Sequence, residues 1–509
     1  MHIELDRTSR APLYLQIRNA LREMIMNGSL PPGYRLPPER KLAATLAVNR
    51  STVVKAYEEL AADGFIQSYV GRGTVVANAA GVGERSDLVQ AVPLRWTHLF
   101  NRQAARTNDP LISNLLRQLN QGNTVNLAAG APAPELYPVQ DIAEITAEIM
   151  TASPQEMLEY SSPQGLLSLR TYLSDHMRER GFMVSPDDIL VTSGSQQGLD
   201  LVARVMLEPG DSVLVEEPSY PGALQVFRAA GARLVGIPRD KNGIHGDVLE
   251  QAMIRYRPKF FYTTPTFQNP SGLSMEESER RALLNVAYRC HVPVIEDDTY
   301  SEIYYDRQPA KPLAALDAYG MVLYLSTFSK MLFPGLRVAW AAGPSEVIRQ
   351  MIMARQLDDI HTSTLTQAIV AEYCQRGLLR GHLQNIRQFY KPRRDALLKA
   401  LQDFSPPGMH WTEPEGGFYI WCQLPPGISG ERLLGLCQAA RVVFVPGAAF
   451  YADASGNDHI RIGFPRHDEQ SLRSGIEAIC QAVRQLQKES VASAGERTRA
   501  EDIAPLALL

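Results

Sequence analysis

The 509-residue sequence predicts a multidomain chain: a winged helix-turn-helix head followed by an α/β body with a mainly parallel sheet. Three observations carry the prediction. The first 78 residues are basic where the remainder is acidic. They show short amphipathic helices separated by turn residues and followed by a hairpin pattern. From about residue 125, β-branched apolar runs alternate with stretches of helical periodicity, the signature of crossover units around a parallel sheet.

Composition narrows the function classes. Ten basic residues oppose seven acidic ones in the first 78, a balance of about +3 that leaves about −7 for the rest of a chain whose net charge is −4. A basic module on an acidic body points to a nucleic-acid partner for the module alone. The five cysteines (290, 374, 422, 437, 480) show no C-x-x-C spacing, which argues against a disulfide framework and a zinc site and fits a reducing compartment. "MHIELDRTSRAPLY" lacks the apolar stretch of a signal peptide, and no run of about 18 apolar residues suggests a membrane span. A cytoplasmic, DNA-associated protein is expected, with no bound metal.

The head reads as follows. Leu13, Ile17, Ala20, Leu21 and Met24 recur at helical spacing; "NGSLPPGYRL" is turn chemistry; "PPERKLAATLA" opens a second helix near Pro38. "VNRSTVVKAYEELAADG" is the third, with Asn49 as N-cap, Val53, Ala56, Tyr57, Leu60 and Ala61 as its buried face and Gly64 as terminator. "FIQSYVGRGTVVA" gives two strands around Gly71-Arg72-Gly73, a wing. Residues 79–122 form a linker with helical hints from 96 onward, 123–486 the body, and 487–509 a polar, then apolar, poorly ordered tail.

In the body, "DDILVTSG" precedes the helical "SQQGLDLVARVML", and "DSVLVEEP" precedes "GALQVFRAA"; "KFFYTTPT", "VPVIEDD", "MVLYLST" and "RVAWAAG" follow. Ligands of such sheets sit beyond the carboxyl ends of the strands. There the sequence places Gly194-Ser195, a helix start that cradles anions, then Asp297 and Tyr300, then Thr327, Ser329, Lys330 and Arg337. Lys330 lies among small and apolar residues in "YLSTFSKMLFPGLRVAW", and burying an ammonium without a partner is expensive. A ligand with a phosphate, a protonatable ring nitrogen and a carbonyl for the lysine meets every demand, and pyridoxal 5′-phosphate is such a ligand.

Two resemblances sharpen this. Residues 11–77, with "LPPERKLAATLAVNRSTVVKAYEELAADGFIQSYVGRGTVV", resemble the GntR-type DNA-binding domain. That resemblance implies DNA contacts by Arg40, Asn49, Arg50, Ser51 and Thr52 at the third helix, by Gly71 and Arg72 in the wing, and by Arg35 on a phosphate. Some relatives carry a base-reading arginine where this chain has Val54, with Lys55 beside it. Residues 125–485 resemble fold-type I aminotransferases of the aminoadipate/kynurenine branch. They carry in order "LAAGAPAPELYP", "YSSPQG", "SGSQQGLDL", "EEPSYPG", "FQNPSG", "EDDTY", "STFSKMLFPGLRVAW", "EGGFYIW", "PGAAF" and "IRIGF".

The second resemblance implies a mainly parallel seven-stranded sheet with a smaller α+β C-terminal subdomain. It makes Lys330 the Schiff-base lysine and Asp297 the partner of the ring nitrogen. Asn269 and Tyr300 fall on the ring's phenolic oxygen and Tyr220 on its face. Ser195, Gln196, Thr327, Ser329 and Arg337 fall on the phosphate. Tyr160 is implied to reach the neighbouring subunit's phosphate, hence a homodimer, and Arg461 with Gly130 to hold a carboxylate. Ser326 and Ala339 stand where relatives have glycine. Together the halves resemble the MocR subgroup of GntR regulators. The expectation is a regulator whose body binds the cofactor and senses an amino acid or amine. The alternative is an active aminotransferase, passing amino groups to 2-oxoglutarate, that carries a DNA-binding head.

Overall fold

The computed structural model describes residues 3, 5–7, 12–69, 73–77, 99–101, 103–104, 124–240 and 243–502, with side chains as far as residue 489. The chain divides into two units, Met1–His98 and Leu99–Leu509.

The head contains helices α1 (Leu13–Met26), α2 (Glu39–Leu46) and α3 (Arg50–Ala62), then strands β1 (Ile66–Tyr69) and β2 (Gly73–Val76). Its core takes most of the apolar set that the helical spacing selects: Ile17 and Leu21 join Leu42, Val53, Ala56, Tyr57 and Leu60 and are closed by Ile66 and Val76. Ala61, expected on the buried face of α3, is instead exposed, because it lies one residue past Leu60 and turns away from the core. Asn49 caps α3 by accepting the Ser51 amide at 3.1 Å, as its side-chain chemistry favours. Pro38 sits one position earlier than expected, as the cap of α2 and not its first residue. β1 and β2 pair antiparallel from Ile66–Val76 to Tyr69–Gly73.

In the body, strands β4 (Ile189–Thr192), β5 (Ser212–Glu217), β6 (Arg233–Asp240), β7 (Gly243–Ile244), β8 (Phe261–Thr263), β9 (Val294–Asp297), β10 (Val322–Thr327) and β11 (Ala339–Ala342) form one sheet in the order β4-β11-β10-β9-β8-β5-β6-β7. The seven long strands are parallel except β11, which runs antiparallel to β10 and β4. The eighth, β7, is a two-residue hairpin return on β6. β4, β9, β10 and β11 are buried at every position rather than at alternate ones, as strands covered on both faces are, and β4, β9 and β10 end in polar residues at their carboxyl ends.

A short strand β3 (Val125–Asn126) pairs parallel with β14 (Val442–Val443). The C-terminal part adds an antiparallel sheet of β12 (His410–Trp411), β13 (Tyr419–Gln423), β16 (His459–Gly463) and β15 (Val445–Pro446). It packs with the long helix Leu378–Phe404 and the last helix, Glu469–Asp502. That last helix departs from the sequence expectation, because residues 487–502 are helical where little order was expected. Their Ala, Glu, Arg and Gln content favours helix and contains no proline. No described helix is long and apolar enough to cross a membrane.

Candidate functional site

The carboxyl ends of the parallel strands converge on one buried cluster. Thr327 closes β10 and accepts the Ser329 amide at 3.0 Å, which turns the chain into the short helix Phe328–Met331 that carries Lys330. Its hydroxyl also donates to Ser329 at 3.0 Å. Lys330 Nζ donates to the Gly130 carbonyl at 2.7 Å. Burial, joined by the Arg461 and Arg337 cations, drives this amine below the ordinary lysine range; Tyr419 and Asp297 oppose the shift without overcoming it. Lowering the proton affinity of an amine makes its neutral, nucleophilic form easier to reach.

Asp297 ends β9. Its two oxygens accept hydroxyls from Tyr262 and Thr299, each at 2.8 Å. Burial pushes the carboxyl up despite those bonds. A buried carboxylate so placed gains most from a cationic group brought to it, as a protonated ring nitrogen would be. Its neighbour Asp298 is already paired, to Arg180 at 2.7 Å and the Tyr324 hydroxyl at 2.8 Å.

The anion cradle lies after β4. Gly194 adopts φ 103°, and a Cβ there would stand 2.0 Å from Arg337 Nη2, so only glycine lets the guanidinium close over the turn. Arg337 donates to the Ser193 carbonyl at 3.0 Å. Ser195 starts the helix Ser195–Met206, whose first amides are open to a ligand. Gln196 donates to the Gly222 carbonyl at 3.0 Å and accepts the Tyr220 hydroxyl at 3.3 Å. Burial raises the Tyr220 phenol to about 12.

Arg461, on β16, is buried. Nη1 donates to Asn269 Oδ1 at 2.9 Å and Nη2 to the Ala128 carbonyl at 2.7 Å, while Nε has no partner. Its carbon lies 4.1 Å from the Tyr419 ring centroid and 5.1 Å from that of Phe450. No carboxylate of the protein is paired with it among the described residues. A buried guanidinium with an orphaned N–H is made for an outside anion. Gly130 is required by close approach, since a Cβ there would fall 1.6 Å from the Tyr419 hydroxyl.

The structure therefore brings Lys330, Asp297, Ser195, Gln196, Tyr220, Asn269, Tyr300, Thr327, Ser329, Arg337, Arg461 and Gly130 to the ends of the same strands. Tyr160 stands apart: it is 81% exposed and meets His361 edge-on with ring centroids 5.9 Å apart. Sequence reading missed Tyr262, Thr299 and Tyr419. Ser326, in a usual glycine position, donates to the Asp298 carbonyl at 2.8 Å, and Ala339 pairs with Thr327 and Thr192. The donor set fits pyridoxal 5′-phosphate: an anion cradle, an amine with a depressed proton affinity and a buried carboxylate lacking a full cationic partner. No cluster of metal-binding side chains occurs among the described residues.

On the head, Arg35, Arg40, Asn49, Arg50 and Ser51 are exposed and Thr52 half-buried. Arg50 is held by Glu39 through Nε at 3.2 Å and Nη2 at 3.0 Å. Arg35 lies against Gly73 at the turn end of the wing hairpin, where a Cβ would come within 3.0 Å of its Nε. Lys55 rests its ammonium 4.1 Å from the Tyr14 ring centroid. Gly71 and Arg72 lie outside the described residues, as does nearly all of 79–122.

Comparison with known proteins agrees with both halves. Residues 122–479 match the family "Aminotransferase class I and II", and residues 13–76 match "Bacterial regulatory proteins, gntR family". The chain is 32% identical to the uncharacterised HTH-type transcriptional regulator YisV of Bacillus subtilis, over 94% of this chain and 98% of that one. It is 27% identical to the probable rhizopine catabolism regulatory protein MocR of Rhizobium meliloti, over 93% and 94%. The crystal structure of the Pyrococcus horikoshii kynurenine aminotransferase, in complex with PMP, superposes with a TM-score of 0.74 at 38% identity. That match covers 77% of this chain and 98% of the enzyme.

Proposed function

Since this chain belongs to the MocR type of gntR regulatory proteins, with a class I and II aminotransferase body, we propose that it reads an amino acid or amine through pyridoxal 5′-phosphate and passes that reading to DNA. The cofactor, when bound, supplies an aldehyde that joins amines covalently and a ring that draws electrons. Lys330 Nζ would be the amine that holds its aldehyde, in competition with the amine of a ligand. Asp297 keeps a proton on the ring nitrogen, with Tyr262 and Thr299 orienting the carboxylate. Asn269 and Tyr300 serve the phenolic oxygen, Tyr220 covers the ring, and Ser195, Gln196, Thr327, Ser329 and Arg337 hold the phosphate. Arg461 takes a ligand carboxylate.

One observation carries the regulatory reading. Arg461 and Lys330 both hold the same stretch of backbone, through the Ala128 and Gly130 carbonyls. That stretch follows directly in sequence on the segment that joins body to head. A ligand that engages Arg461 and changes the partner of Lys330 alters both bonds together. Coupling then requires only that the ligand prefer one arrangement; tight binding to both would shift nothing.

Tyr160, Leu158 and Leu357 expose large apolar surfaces of 81%, 75% and 89%. A second copy of the chain covers them, with Tyr160 reaching the partner's phosphate site, and the dimer presents two heads to two half-sites. The α3 start carries the base contact. Arg50→Ala should weaken operator binding by about 10- to 100-fold, the worth of one bidentate base contact, with Glu39 left as a lone carboxylate at the DNA. A gel-shift series in rising salt checks this. Arg35→Ala should instead weaken all sequences alike and flatten the salt slope. Binding indifferent to salt and to both substitutions would remove the head from DNA recognition. A second reading, catalytic amino transfer, is favoured by the lowered proton affinity of the Lys330 amine beside the residues assigned to the cofactor, because the same amine can carry a proton to and from a ligand carbon.

A further inference from the structure

Tyr419 opens β13 inside "EGGFYIW", where its pattern is that of an ordinary core strand residue. Its surroundings are not ordinary. The ring face carries the Arg461 guanidinium at 4.1 Å. The hydroxyl lies 3.2 Å from that of Tyr300, with the two rings edge-to-face at 5.8 Å and 80°. The backbone of Gly130 closes over the same hydroxyl, and the Gly130 carbonyl is the acceptor of Lys330. One phenol thus touches the arginine, the tyrosine and the glycine that the proposed function uses, and it carries a polar group that packing alone would not need.

The two phenols are electrically unequal. Burial raises Tyr419, but the Arg461 and Lys330 cations and the hydrogen bond from Tyr300 overcome it and leave this phenol below the ordinary tyrosine range. Burial, joined by Tyr419 itself, holds Tyr300 well above that range. Tyr300 therefore keeps its proton, and Tyr419 is the stronger acid and the stronger donor.

We infer that Tyr419 is a positioning residue for Tyr300: its hydroxyl accepts the Tyr300 hydrogen in the cofactor-free site and donates to the Tyr300 oxygen once Tyr300 turns that hydrogen to the phenolic oxygen of the cofactor. A hydrogen bond received at oxygen makes the same hydroxyl a better donor. The pair then acts as a two-phenol relay that favours the negative form of the cofactor's phenolic oxygen. This inference rests on the cofactor reading given above.

The test is a pH titration of the visible band of the lysine-linked cofactor in the full-length holoprotein. Weakening the relay disfavours the negative oxygen, so the transition must move to higher pH. Tyr419→Phe keeps the ring, its stacking and the Arg461 contact and removes only the hydroxyl. It should raise the transition by about half a pH unit to one unit, a three- to tenfold change in proton affinity expected for one hydrogen bond. Tyr300→Phe should raise it at least as far, and adding Tyr419→Phe to Tyr300→Phe should raise it no further, because the relay passes from Tyr419 to the cofactor through Tyr300, and the charge effect of Tyr419 on Lys330 runs the other way. An unmoved transition in Tyr419→Phe overturns the inference. So does an equal shift in the Tyr300→Phe background, which would mark a direct effect of Tyr419 on the cofactor. A protein that shows no lysine-linked band at all, before any substitution, overturns the cofactor reading itself.

Discussion

Lys330→Ala is expected to abolish the adduct that borohydride fixes on the 324–340 peptide while leaving the fold intact. Among the described residues the Nζ makes one hydrogen bond, to the Gly130 carbonyl. Its burial works against the charged form, as the downward shift of its proton affinity shows. Removing the amine leaves one carbonyl less satisfied, a cost of about 1–3 kcal/mol, and at the same time relieves a buried amine of a similar penalty. The unfolding temperature of the cofactor-free variant should therefore stay close to that of the parent. Function has no such compensation. The covalent link is lost outright, and any proton transfer that depends on this amine should fall by about 10²- to 10⁴-fold. Cofactor should still bind without the link, through the anion cradle and Asp297, and its absorbance should be that of a free aldehyde. Mass spectrometry of the reduced peptide and a thermal melt check both halves. An adduct persisting elsewhere in the chain would move the reactive lysine away from position 330.

Arg461→Ala should have the second largest effect, and it also sorts the ligands. The guanidinium is buried, its Nη groups are placed by Asn269 and Ala128, and its Nε is free to meet a carboxylate. Truncating one side of a buried, hydrogen-bonded charge pair costs about 2–5 kcal/mol, which is at least about thirtyfold in Kd. Arg461→Lys should recover little of this, because an ammonium cannot make the two-pronged contact. An amine with no carboxylate should bind the variant and the parent about equally. The measurement is the change in the visible band against ligand concentration, for amino acids and for the matching amines. Equal losses for both classes would mean that Arg461 serves the pocket's shape and not a carboxylate.

The groups legible in the sequence were those whose chemistry is out of place locally. Lys330 in an apolar run, Asp297 at the end of a buried strand and glycine before a helix at 194 each violate the surrounding pattern, and each stands in the site. Tyr262, Thr299 and Tyr419 were hidden because they obey the pattern. Tyrosine and threonine are ordinary in and beside buried strands, and only the fold reveals what their hydroxyls meet. Backbone groups are beyond any residue-type reading: the Ala128 and Gly130 carbonyls gain their roles from the approach of β16 and of the turn after β10. On the head, Asn49 was legible as a cap because side-chain and backbone chemistry meet within two residues. The Glu39–Arg50 pair was not, since it depends on how α2 meets α3. The last helix was misjudged past residue 487 because a polar composition suits both an exposed helix and an unordered tail.

The most direct test of the central claim is the DNA affinity of the full-length holoprotein. It should be measured on fragments that the chain itself selects from a random pool, with and without a panel of amino acids and amines, beside Lys330→Ala. At least one ligand that changes the visible band should also change the affinity, by about fivefold or more, the usual lower range of a coupling between two sites. Lys330→Ala should bind the same fragments with an affinity that no ligand alters. Affinity that stays constant while the parent chain turns over amino groups would contradict the account and leave an aminotransferase that carries a DNA-binding head.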